Sequence, residues 1–99
     1  MNNLELIITE EAFYDIEVIS QFISNDNFDA AKKTVDMFFD CFNMLCEFPN
    51  MGIYKKGIKS KDTQIFIVKK QFLIAYKVKD NKLIILKVSY RYQNIYNLL

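Results

Sequence analysis

The chain has no histidine and no tryptophan, only two glycines, one proline and two cysteines among 99 residues. Without histidine, a Ser-His or Cys-His catalytic unit and an imidazole-based metal site are excluded. Gly52 and Gly57 are too few for a glycine-rich phosphate loop. Cys41 and Cys46 lie five apart within one expected helix, so they point in different directions and are read as buried thiols, not a disulfide. No uncharged apolar run approaches the roughly 20 residues that span a bilayer, and no basic segment leads into an apolar one at the N-terminus. The expectation is one cytoplasmic domain over residues 1–99, with no membrane partner, cofactor or metal. Any catalysis would have to rest on Arg, Lys, Tyr or carboxylates.

What is present is apolar and aromatic. Hydrophobic residues make up 52% of the chain, with nine Phe and six Tyr, which argues for a packed core against disorder. The near-neutral total hides an asymmetry. Residues 1–50 hold two lysines against ten carboxylates, a net of −8, while residues 51–99 hold ten lysines and Arg91 against two carboxylates, a net of +9. A half-chain this basic is the footprint of an anionic partner, or else one of two solvated faces that differ in sign.

The element pattern centres on residues 64–90. Gln64-Val68 forms a short strand, joined through Lys69-Lys70-Gln71 to a longer one. There Phe72, Ile74, Tyr76 and Val78 alternate with Leu73, Ala75, Lys77 and Lys79, the period of two expected of a strand. Asp80-Asn81 tolerates positive φ and reads as a hairpin turn. Ile84, Leu86, Val88 and Tyr90 then alternate with Leu83, Ile85, Lys87 and Ser89. This pattern predicts Ile74, Tyr76, Leu86 and Val88 on the core face. It puts Lys77, Lys79, Lys87, Leu73 and Ile85 on the other face, where with Lys69 and Lys70 they are the candidate partner-binding residues.

Ahead of this meander, Leu4-Thr9 reads as a first strand. Thr9 is a plausible N-cap for a helix over about 10–24, with Glu10 and Glu11 in its first turn and a stripe of Ala12, Ile16, Ile19 and Ile23. Asn27 is a candidate cap for a second helix over about 28–48. Its polar residues, among them Asp29, Lys33, Asp36, Asp40 and Glu47, gather in a sector of about 80° at 100° per residue. The rest of its girth is apolar, more than one packing stripe requires, so either the helices pack unusually deep in the fold or a partner covers the excess, and the partner is the preferred reading. Pro49 ends the helix. A basic loop over 53–63 and a tyrosine-rich tail over 91–97 complete the chain.

Three segments together carry a resemblance: Ala12-x-x-Asp15-Ile16-x-x-Ile19-x-x-Phe22-Ile23, the Leu45-x-x-x-Pro49-x-x-Gly52 turn, and Phe72-Leu73-Ile74-Ala75-Tyr76-Lys77-Val78 followed by Asp80 and Ile85-Leu86-Lys87-Val88. In this order they resemble the RelE/ParE superfamily of bacterial toxins from type II toxin–antitoxin modules. The resemblance implies an α+β fold, β-α-α-β-β-β, with a helical hairpin on one face of an antiparallel sheet. It also implies a growth-inhibiting toxin neutralised by a cognate antitoxin.

The target differs between branches. ParE-like members poison DNA gyrase without a nuclease centre, and RelE-like members cut mRNA on the ribosome with basic sheet residues and a tail tyrosine. Here the two basic positions of the first meander strand fall near Gln64 and Phe66, and an arginine expected on the next falls at Leu73. Arg91 matches, and Tyr96 lies one residue from the catalytic tyrosine's place. These two are the catalytic candidates if the chain is a nuclease; otherwise Arg91 solvates a strand end and Tyr96 packs on the core. The ParE-like ending, His-Gly-x-Arg-Asp, stands here as Tyr90-Arg91-Tyr92-Gln93-Asn94. The gyrase-directed mode is preferred, the ribonuclease is the alternative, and an inactive toxin-derived binding module is a third reading.

Overall fold

The computed structural model describes residues 3–54 and 62–91. The expected basic loop over 53–63 is therefore described only at its ends, and the tail after Arg91, with Tyr96, lies outside the described residues. Strand β1 (Glu5–Ile8) leads into helix α1 (Glu10–Ser24) and helix α2 (Phe28–Glu47). A 3-10 turn at Pro49–Met51 follows, then β2 (Gln64–Val68), β3 (Phe72–Lys79) and β4 (Lys82–Tyr90).

The caps fall on the expected residues. The Thr9 side chain accepts the Ala12 N–H at 3.2 Å, and its hydroxyl donates to the Ile85 carbonyl at 2.8 Å, so one residue starts α1 and ties it to the sheet. Asn27 accepts the Ala30 N–H at 3.0 Å. The bonds from the Ala12 and Ala30 N–H groups each satisfy a donor that the first helical turn would otherwise leave orphaned.

The sheet runs β1-β4-β3-β2. Its last three strands form the expected antiparallel meander, but β1 pairs parallel to β4, so the sheet is mixed and not antiparallel throughout. The two helices on one face make the parallel pairing possible, because a parallel neighbour needs a long crossover between the strands. Phe38, Phe42, Leu45 and Cys46 of α2 meet Ala12, Ile16 and Ile19 of α1 over Phe72, Ile74, Tyr76, Leu83, Ile85 and Val88 of the sheet. The Phe38 and Phe72 rings meet edge to face at 5.0 Å.

The faces of β4 depart from simple alternation. Ala75 pairs with Lys87 but Tyr76 pairs with Ile85, so Leu86 is an extra residue in a β-bulge. The bulge inverts the pleat of the preceding half of the strand. Ile85 is fully buried in the main core, whereas Leu86 packs on the opposite side of the sheet with Ile65, Leu73 and Ala75. The expected placement of Leu86 inward and Ile85 outward is thereby corrected.

The turn after α2 is locked by one buried hydroxyl. Tyr76 Oη donates to the Pro49 carbonyl at 2.7 Å and accepts the Gly52 N–H at 2.9 Å, while Gln64 Nε2 donates to the Gly52 carbonyl at 3.2 Å. A Cβ at Gly52 would lie 2.4 Å from that hydroxyl, which explains the glycine.

Candidate partner-binding surface

The basic residues of the meander do not form one surface. Lys69 and Lys70 are exposed at the β2–β3 turn, and Lys79 is exposed at the far end of β3. The eight residues of β3 separate these ends by about 26 Å, at roughly 3.3 Å per residue. Lys77 is half-buried between them. Lys87, expected on the solvated face, is only 9% exposed, and its ammonium lies 3.3 Å from the Asp15 carboxylate of α1. Asp15 also accepts the Val88 N–H at 3.0 Å. The reason is local topology. β1 stops pairing at Ile85, so the edge of β4 beyond it has no strand partner, and α1 supplies a carboxylate in place of one.

Among the hydrophobic candidates, Ile85 belongs to the core, and Leu73 is 6% exposed within the small cluster on the sheet's other side. Neither presents a side chain outward. Arg91 is exposed, and its backbone N–H donates to the Gln71 carbonyl at 2.9 Å, which sets it beside the Lys69-Lys70 turn. The structure thus brings Lys69, Lys70 and Arg91 into one corner, and removes Lys87, Leu73 and Ile85 from the set. Tyr96 cannot be placed in that corner, since it lies outside the described residues.

Both hairpin turns take positive φ at two successive residues: 50° and 60° at Lys69 and Lys70, in a three-residue loop between Val68 and Phe72, and 53° and 63° at Asp80 and Asn81, in a two-residue loop between Lys79 and Lys82. Asp and Asn tolerate that region; lysine does so at a cost of roughly 1–2 kcal/mol per residue. The Gln71 N–H closes the lysine turn onto the Val68 carbonyl at 2.9 Å.

The exposed apolar surface lies on α1 and around the turn after α2, where Phe48, Met51, Ile53 and Tyr54 are exposed, and not along the body of α2 to which the sequence had pointed. Tyr14, Val18 and Phe22 recur every four residues along α1 at 67%, 46% and 68% exposure, and Phe13 stands beside them. Phe13, with Ile16 of α1 and Val35 and Phe39 of α2, lines a groove of about 310 Å³ between the helices. Much of the wide girth of α2 is instead half-buried against the fold, at Val35, Met37, Phe39, Cys41 and Met44. The signal was legible: Phe13, Val18 and Phe22 fall off the core stripe of α1, and an aromatic off the stripe has nowhere to go but outward.

Nucleophilic cysteine chemistry finds no support. Burial pushes the Cys41 thiol up, with Asp40 adding to the rise and Lys69 opposing it, and burial alone raises Cys46. Both stay protonated near neutrality, and a thiol is a poor nucleophile. No group of three or more Cys, Asp or Glu that could hold a metal ion occurs among the described residues, nor is any described helix long and apolar enough to cross a membrane.

A helical hairpin on a four-stranded sheet, with capped helices and an apolar outer face on α1, defines a small α+β protein. Comparison with known proteins says which kind. The family model of the ParE toxin of the type II toxin–antitoxin system parDE matches residues 6–95. The chain belongs to this family and is a toxin of a type II toxin–antitoxin system.

Solved structures share the fold. The chromosomal ParDE system of P. aeruginosa is similar at a TM-score of 0.73 and 18% identity, over 88% of this chain and 95% of that one. The toxin–antitoxin complex RelBE2 of Mycobacterium tuberculosis follows at 0.65 and 17%, over 91% and 100%. The conserved hypothetical protein HP0894 of Helicobacter pylori gives 0.55 and 17%, over 89% and 94%. No curated protein matches in sequence.

Proposed function

We propose that this toxin arrests growth by acting on DNA gyrase, not by cutting mRNA, and that a cognate antitoxin in the cytoplasm holds it inactive. The observation that carries the reading is the state of the sheet positions where the RelE-like branch places basic groups. Gln64 and Leu73 are buried at 4% and 6% exposure, and Phe66 is half-buried against the core. Metal-free phosphodiester cleavage needs groups that move the 2′-OH proton and stabilise the phosphorane charge. Lys87, which could have substituted, is engaged by Asp15. The structural relatives include a toxin–antitoxin system and a toxin–antitoxin complex, which supports an antitoxin partner here. The aromatic face of α1 is where we place it, since a helical or extended apolar segment would cover Tyr14, Val18 and Phe22 together.

A second reading is favoured by one observation. Arg91 stands exposed beside two lysines, which is the cationic corner a ribosome-dependent nuclease would use. Induced expression separates the two. On the gyrase reading DNA synthesis stops before protein synthesis; prompt arrest of translation with cut mRNA would overturn it.

A further inference from the structure

The two turns of the meander share positive φ at two successive residues and differ in chemistry. Asp80-Asn81 carries residues suited to positive φ, whereas Lys69-Lys70 carries residues that are not. Asn-Gly at 69–70 would close the same hairpin with less strain. Two exposed lysines held at positive φ spend backbone strain where a local turn signal is absent, which points to what their side chains meet. Arg91 stands beside them through its bond to Gln71, and makes the corner three cations deep.

What the corner adjoins decides the class of partner. On the flank of α2 away from α1, a depression of about 420 Å³ has Met37, Cys41 and Met44 among its lining, with Lys69 on its rim. Lys33, Asp36 and Asp40 line the same depression. A nucleic-acid strand carries a phosphate at every step and would bring several past Asp36 and Asp40. A protein segment can set single acidic residues against Lys69, Lys70 and Arg91 and place an apolar side chain among Met37, Cys41 and Met44. The corner is also separate from the apolar groove that Phe13 and Phe39 line between the helices.

We propose that the Lys69-Lys70 turn, with Arg91, is the element by which the toxin grips an acidic segment of its protein target, on a surface distinct from the one its antitoxin covers. The inference rests on the reading that the target is a protein.

The test compares the wild-type chain with Lys69→Asn/Lys70→Gly and Lys69→Arg/Lys70→Arg. The readouts are melting temperature, affinity for the antitoxin, growth arrest on induction and inhibition of purified gyrase. The Asn-Gly variant should melt higher than wild type and bind antitoxin within about twofold. It should lose at least about tenfold in growth arrest and in gyrase inhibition, as the loss of charged contacts implies. The Arg-Arg variant should retain both activities. An Asn-Gly variant that melts no higher, stays fully toxic or loses antitoxin affinity in step would overturn the proposal. So would loss of binding to a single-stranded RNA probe in step with toxicity. If the wild type arrests growth without inhibiting gyrase, the gyrase reading alone fails, and the growth arm still decides the role of the turn. A wild-type chain that is not toxic would overturn both.

Discussion

The Tyr76 hydroxyl lies 2.9 Å from the Gly52 amide nitrogen and accepts its proton, while donating its own to the Pro49 carbonyl. One side chain from the middle of β3 thereby fixes the turn that carries the chain from α2 to β2. Tyr76→Phe leaves a buried N–H and a carbonyl short of partners and should cost about 1–3 kcal/mol. Gly52→Ala drives a methyl into the ring and should cost about 1–3 kcal/mol as overpacking. The two changes meet at the same atom, so the double variant should lose less than the sum. Chemical denaturation of the three variants checks this, and strict additivity would contradict it.

The same hydroxyl gives a pH dependence. Burial raises the Tyr76 pKa above its ordinary value of 10.0, with Tyr54 adding to the rise and the Gly52 N–H opposing it. The unfolded chain therefore ionises this tyrosine first. Its contribution is complete below about pH 10 and is lost as pH rises through the higher folded value. Melting temperature followed from pH 8 to 11.5 should fall less steeply in Tyr76→Phe than in wild type. Parallel curves would contradict the assignment.

Asp15 and Lys87 provide a test of the free edge of β4. Asp15→Ala removes a carboxylate that holds both a backbone N–H and an ammonium, and should cost about 1.5–3 kcal/mol, as for hydrogen bonds to charged groups. Lys87→Ala leaves Asp15 bonded to Val88 and should cost less than Asp15→Ala. Equal losses by denaturant titration would show that the ion pair, not the bond to the strand edge, is what matters.

The bulge at Leu86 can be read from stability as well. Ile85→Ala should cost about 2–5 kcal/mol as a core truncation, and Leu86→Ala clearly less, since Leu86 is only partly buried. The reverse order would restore unbroken alternation.

That strand also shows where sequence reasoning stops. Leu83-Ile84-Ile85-Leu86 is apolar throughout, so a period of two fits either register, and only pairing with Tyr76 selects one. The caps at Thr9 and Asn27, the end at Pro49 and the Asp80-Asn81 turn were legible because each is decided by neighbours within a few residues. The Lys87 clasp was not, because Asp15 lies 72 residues away. Nor was the Lys69-Lys70 turn, whose residues carry no signal for positive φ. The parallel place of β1 depended on the whole helical hairpin. For the same reason the lysines read as one surface in sequence and divide between two ends of β3 in the fold.

The central claim is a toxin directed at gyrase and not at mRNA, and it is tested most directly with purified toxin in two parallel assays. One is supercoiling by gyrase; the other is cleavage of mRNA on translating ribosomes, each with wild type, Arg91→Ala and Tyr96→Phe. The account expects wild type to inhibit supercoiling and leave mRNA intact, with Tyr96→Phe fully active and Arg91→Ala weakened. A nuclease would instead lose about 100- to 1000-fold when a group stabilising its transition state is removed. Intact supercoiling, together with ribosomal mRNA cleavage that Arg91→Ala and Tyr96→Phe abolish, would contradict the account.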